Sequence, residues 1–105
     1  MSSWTFLTNH AHVLLCIAND PGATLREIAA QVGITERAAH RIVVELEAEG
    51  ALTHERDGRR NTYQVNLAFP LRHPLERHCK VSQLLRTLSP RLNINKKRFP
   101  KRRTY

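Results

Sequence analysis

The stretch that most constrains this chain is residues 24–50, TLREIAAQVGITERAAHRIVVELEAEG. Thr24 and Glu27 have capping-box spacing, at which the threonine oxygen accepts a first-turn amide and the glutamate reaches back to the threonine N–H. Leu25, Ile28, Ala29 and Val32 then recur with helical period and define one buried face. Gly33 follows, where a helix end favours a residue that tolerates left-handed backbone. Ile34 can plug the corner, and Thr35 can cap a second helix. In that helix Ala39, Ile42, Val43 and Leu46 share one side at about 100° per residue. Arg37, His40, Arg41 and Val44 fall on the other side. Gly50 supplies the second stop.

Two short helices closed by a tight glycine turn are the layout of a helix-turn-helix. Small Ala29 lets the helices approach, and Ala29, Gly33, the corner Ile34 and the apolar spacing together are more specific than any one of them. The competing reading is an ordinary helical hairpin inside a core. Upstream, Thr8 is a plausible N-cap for a first helix over residues 9–18, with Val13, Leu14, Ile17 and Ala18 inward. The run Asn19, Asp20, Pro21, Gly22 breaks it. Trp4 and Phe6 are expected in the core or at a subunit contact, since no basic residue interleaves them as nucleic-acid stacking would require. Downstream, residues 52–56 suit a strand, Asp57-Gly58 a hairpin turn, and Tyr63, Val65 and Leu67 an alternating return strand. Arg59, Arg60 and Asn61 then stand at or beside the hairpin tip.

With the hairpin in place, the chain resembles winged helix-turn-helix transcriptional regulators of the MarR-like group over residues 5–67. The resemblance rests on Ala29, Gly33 and Ile34, on the junction ELEAEGAL at residues 45–52, and on the segment DGRRNTYQV at residues 57–65. It implies a winged helix-turn-helix, so the fold expected is mainly α with a small β-hairpin, to which the residues beyond 67 add a C-terminal helix and a basic tail. It also implies sequence-specific binding of double-stranded DNA by a homodimer that regulates transcription. The recognition helix would enter the major groove, and the wing would lie on flanking DNA.

In that frame the recognition-helix candidates are Thr35, Glu36, Arg37, His40 and Arg41. Arg37 and Arg41 offer the fork that matches guanine, and each can equally take a phosphate. Thr35, at the helix start, suits phosphate. Glu36 can accept from cytosine or merely answer the helix dipole. His40 can give a hydrogen bond without a fixed charge. On the wing, Arg59 and Arg60 can follow the backbone or enter the minor groove, and Asn61 can bond a sugar or phosphate.

Charge adds a second region. The chain of 105 residues carries +8, but Lys96, Lys97, Arg98, Lys101, Arg102 and Arg103 supply +6 of it with no acid nearby. The other 95 residues hold 11 basic and 9 acidic residues, a balance of +2. A global charge argument for DNA binding is therefore weak in the body and strong only in the tail. Those six tail residues can make sequence-independent phosphate contacts on DNA or RNA, or remain a solvated end. The chain thus divides into residues 1–67, a DNA-binding domain; residues 68–90, a connector and helix; and residues 91–105, a basic tail. In the middle segment Pro74 is expected to open a helix running to Leu88, with Leu75, Cys79, Val81, Leu84, Leu85 and Leu88 as its apolar face. That face can pack on its own domain or on a second subunit.

Other classes have little support. No membrane-length apolar run or signal pattern is present, so cytoplasmic, nucleoid-associated residence is expected. No enzyme fingerprint occurs, and no cofactor is implied. Cys16 and Cys79 are isolated and read as small apolar residues, not as a disulfide or zinc pair. His12 and Cys16 share one helix face, and His73, His78 and Cys79 cluster later, yet no compact ligand motif appears and no metal is expected. Two rivals to a regulator remain: a winged-helix protein-interaction module, and a nonspecific nucleic-acid binder led by the tail.

Overall fold

The structure is a computed structural model that describes residues 3–89. It divides into two compact units, Met1–Asn66 and Leu67–Tyr105.

In the first unit, α1 (Asn9–Asn19), α2 (Leu25–Val32) and α3 (Glu36–Glu49) precede an antiparallel hairpin of β1 (Leu52–Asp57) and β2 (Arg60–Val65). Thr8 stands at the N-cap of α1 in extended backbone, but its side chain makes no capping bond. The start of α2 is more fully specified. Thr24 Oγ1 accepts from the Glu27 amide at 3.1 Å, and Glu27 Oε1 accepts from the Thr24 amide at 2.9 Å. Gly33 ends the helix at φ 87°, and the amides of Gly33 and Ile34 both donate to the Ala29 carbonyl. A β-branched or bulky residue would be strained in that conformation. Thr35 then caps α3, its Oγ1 accepting from the Ala38 amide at 3.0 Å.

The core is where the three helical stripes converge. Val13, Leu14 and Ile17 of α1, Ile28 and Ala29 of α2, and Ala39, Ile42, Val43 and Leu46 of α3 are all buried. Ala51, Leu52 and Tyr63 extend this core to the foot of the hairpin. Trp4 and Phe6 are not part of it. Their rings pack edge-to-face at 4.9 Å, but Phe6 is 93% exposed. The expectation of a core role fails because α1 begins only at Asn9 and the core closes over residues 13–17 without them.

The hairpin differs from expectation by one residue. Asp57 pairs with Arg60, so the two-residue loop is Gly58-Arg59, not Asp57-Gly58. Gly58 has φ 65°, as the first loop position of the mirror-image hairpin turns requires. Leu67 also lies beyond the return strand, which stops at Val65. At the foot of the wing, Asn66 donates its amide to the Ala51 carbonyl at 2.9 Å and its Nδ2 to the Gly50 carbonyl at 3.1 Å. On the outer edge of β2, the Tyr63 amide donates to the Pro21 carbonyl at 3.0 Å. The α1–α2 turn thereby covers part of a strand edge that would otherwise be open.

In the second unit the helix starts later than the apolar period suggests. It is α4 (Val81–Leu88), and residues 71–79 form a loop instead of its first two turns. The cause is backbone pairing. Pro70 and Lys80 form an antiparallel bridge, the Leu71 amide donates to the Cys79 carbonyl, and the Val81 amide donates to the Phe69 carbonyl. Lys80 is thus held extended and cannot be helical. Within the loop His73 Nδ1 accepts from the Leu75 amide at 3.0 Å, so Pro74 sits in a turn and Leu75 is 81% exposed. Helix α4 then opens with the Lys80 amide donating to Gln83 Oε1 at 2.7 Å. The six tail cations from Lys96 to Arg103 lie outside the described residues.

Candidate nucleic-acid interface

The edge of α3 that faces away from the core holds the expected reading residues. Glu36, Arg37, His40 and Arg41 are all exposed, as is Thr35 at the cap. Burial of Ala39, Ile42, Val43 and Leu46 on the opposite side fixes which way that edge points. Among the described residues, the side chains of Arg37, His40 and Arg41 have no hydrogen-bond or ion-pair partner. Their donors remain available. Thr35 Oγ1 accepts the Ala38 amide, which leaves its hydroxyl hydrogen for an acceptor. The first turn of α3 also presents unpaired amides, as every helix start does.

The acids of α3 are partly engaged elsewhere. Glu45 follows Arg41 at a spacing that allows an ion pair along the helix, but His10 Nε2 of α1 donates to Glu45 Oε1 at 2.7 Å. His54 Nδ1 of β1 donates to Glu47 Oε2. These contacts lie at the surface, so each contributes little to stability. Their effect is directional: they tie the C-terminal half of α3 to α1 and to the wing.

The wing residues have three different settings. Arg59 occupies the loop and is exposed. Arg60 is exposed as well, yet its Nη2 donates to the Gly22 carbonyl at 3.2 Å, which anchors the wing to the α1–α2 turn. Asn61 is half-buried on the hairpin face it shares with Tyr63 and Val65, and its Oδ1 is enclosed with no hydrogen-bond partner among the described residues. A further cation, Arg56, stands beside the tip and donates its Nε to the Gly58 carbonyl at 3.2 Å. Sequence reasoning passed over Arg56 because it falls inside a strand; its pairing opposite Asn61, one step from the loop, marks it as a tip residue.

Elsewhere the chemistry is sparse. No three His, Cys, Asp or Glu side chains among the described residues gather where they could hold one metal ion. Cys16 and Cys79 are free thiols, and burial raises the Cys16 pKa above its ordinary value. No helix among the described residues is long and apolar enough to cross a membrane.

Residues 5–60, which take in all three core helices, β1 and the hairpin loop, match the sequence profile of the MarR family. The chain belongs to the MarR family. Its winged helix-turn-helix accords with the solved structure of a point mutant of ZitR from Lactococcus lactis. That likeness has a TM-score of 0.51 at 19% identity, covering 63% of this chain and 47% of ZitR. This MarR-family chain thus spans about half the length of ZitR, and at this identity the likeness concerns the fold alone. The PcaV transcriptional regulator of Streptomyces coelicolor, solved with its natural ligand, is similar at a TM-score of 0.48 and 21% identity, over 90% of this chain and 67% of PcaV. None of the curated proteins compared with the chain matches it.

Proposed function

We propose that this MarR-family chain is a homodimeric transcriptional regulator that binds double-stranded DNA sequence-specifically. The observation that carries the reading is the reading edge itself. Arg37, His40 and Arg41 are exposed and, among the described residues, unpartnered on a helix whose other face is locked into the core. Laid in a major groove, that edge brings guanidinium forks to base edges, while Thr35 and the first-turn amides meet phosphate. Arg59 grips flanking DNA from the wing tip. Arg60 contributes with the donors not given to Gly22, and the half-buried Asn61 shapes the hairpin more than it touches DNA.

The near-neutral body means that α3 supplies selectivity more readily than affinity. A second subunit and the cations from Lys96 to Arg103 supply the balance, the latter through phosphate contacts that carry no sequence information. Occupancy of a promoter then changes access to it, without chemical turnover, in the cytoplasm where the nucleoid lies. Two α3 helices in a dimer would read half-sites about one DNA turn apart, roughly 34–36 Å.

The test is selection by the full chain from a pool of random duplexes, followed by competition binding. An enriched inverted repeat, bound at least about a thousandfold more tightly than scrambled duplex, is the expected outcome. Equal binding to all duplexes would overturn sequence-specific recognition. Deleting residues 96–105 should flatten the salt dependence of affinity; an unchanged slope would remove the tail from the mechanism.

A further inference from the structure

The exposed edge of α3 contains one large apolar side chain. Val44 is 49% exposed, and among the described residues it is the only large hydrophobic exposed in α1, α2 or α3. Its position is not random. Residues 37, 40, 41 and 44 are spaced by three, four and seven along the helix, so all four fall in one stripe about 100° wide. The stripe is cationic or polar at Arg37, His40 and Arg41 and apolar at Val44. A β-branched residue at a solvated helix position gains nothing from helix propensity, since Ala, Lys or Glu would serve better. What Val44 offers is a small apolar surface on the stripe it shares with Arg37 and Arg41, whose side chains have no partner among the described residues.

We propose that Val44 is a specificity-determining residue that reads the C5-methyl group of a pyrimidine in the major groove. The proposal rests on the DNA-binding reading above and deepens it. Among the groups that base pairs present in that groove, the C5-methyl of thymine is the apolar one, and side chains read it by contact and not by hydrogen bonding. Arg41 and Val44 are three residues apart, about 4.5 Å along the helix axis, against a base-pair rise of about 3.4 Å. The methyl group therefore lies within about two base pairs of the base that Arg41 reads. Thymine is the ordinary source, and 5-methylcytosine presents the same group.

The experiment uses the full chain and the half-site obtained by selection from random duplexes. Arg41→Ala locates the base read by Arg41 as the position whose preference relaxes. Each thymine within two base pairs is then replaced by deoxyuridine, and each cytosine by 5-methylcytosine. At one pyrimidine, removing the methyl should weaken binding, or adding it strengthen binding, by about fourfold, the worth of one buried methyl group. A thymine response names thymine as the source, and a cytosine response names methylated cytosine. Val44→Ala, which favours the helix and keeps only Cβ, should show a clearly smaller difference between the two versions of the duplex. The proposal is overturned if no methyl change alters affinity, or if Val44→Ala keeps the full methyl response. If selection enriches no sequence at all, the sequence-specific reading itself fails, which is a distinguishable result.

Discussion

Helix α3 and the wing meet at Gly50 and Ala51, yet different forces hold them. Four side chains of α3 are buried in the core, both of its ends are capped, and its exposed edge inherits that rigidity. In the wing only Leu52 and Tyr63 are buried, and the remaining residues of both strands are exposed or half-exposed. Its position depends on polar clasps: Asn66 at the foot, the Tyr63 amide on Pro21 along the edge, and Arg60 on Gly22 near the tip. A groove reader needs fixed side-chain positions, because base discrimination depends on hydrogen-bond geometry. A backbone grip tolerates motion. On the function proposed above, the helix edge would read bases and the wing would hold the backbone.

The largest effect that would break this contrast lies in the core. Ile42→Ala should cost roughly 2–5 kcal/mol in urea unfolding, because Ile42 is buried and its cavity cannot fully collapse. The exposed wing substitution Thr62→Ala should stay within about 0.5 kcal/mol. Comparable losses at both sites would show that the wing is as firmly packed as the helix. Next is Gly33→Ala. Nothing lies within 4 Å of the added carbon, so the cost is the left-handed backbone alone, about 1–2 kcal/mol. Removing the α3 cap with Thr35→Ala should cost about 1 kcal/mol, read from the same unfolding midpoints. Asn66→Ala should cost about 0.5–1.5 kcal/mol and speed amide exchange in β1 and β2 while leaving α3 protected. Uniform acceleration would mean that wing and helix open together.

The smallest effect concerns Cys16. Burial disfavours its thiolate, so alkylation of the folded chain should be slower than that of the urea-unfolded chain at the same pH. The linked stability term has a definite sign. As pH rises through the ordinary thiol range, the unfolded chain releases this proton while the folded chain retains it. Stability is thus fully present below that range and declines above it. Cys16→Ala should lessen that alkaline decline, measured as unfolding midpoint against pH.

Much of this architecture was legible because it is local. The Thr24–Glu27 box, the Gly33 and Gly50 stops and the helical stripes each act within a few residues, so spacing alone reveals them. The exposed edge with Arg37, His40 and Arg41 follows directly, since it is the reverse of the buried stripe. What sequence spacing missed depends on pairing between distant segments. Residues 75–88 have a credible helical period, but the bridge from Pro70 to Lys80 withdraws the backbone that the early turns would need. Arg60 and Arg59 look equivalent in sequence, and only the Gly22 carbonyl separates them. Val44 was visible on the stripe it shares with Arg37 and Arg41, but the extent of its exposure emerges from the packing.

The division between reading and holding is tested most directly by comparing Arg41→Ala with Arg59→Ala on the selected duplex and on a scrambled one, across a salt series. Loss of the Arg41 fork should cut binding to the selected duplex by about tenfold or more while scarcely changing binding to the scrambled duplex. Loss of Arg59 should weaken both duplexes alike and reduce the salt slope by about one. Equal losses on both duplexes for Arg41→Ala would make α3 a phosphate grip and contradict the account.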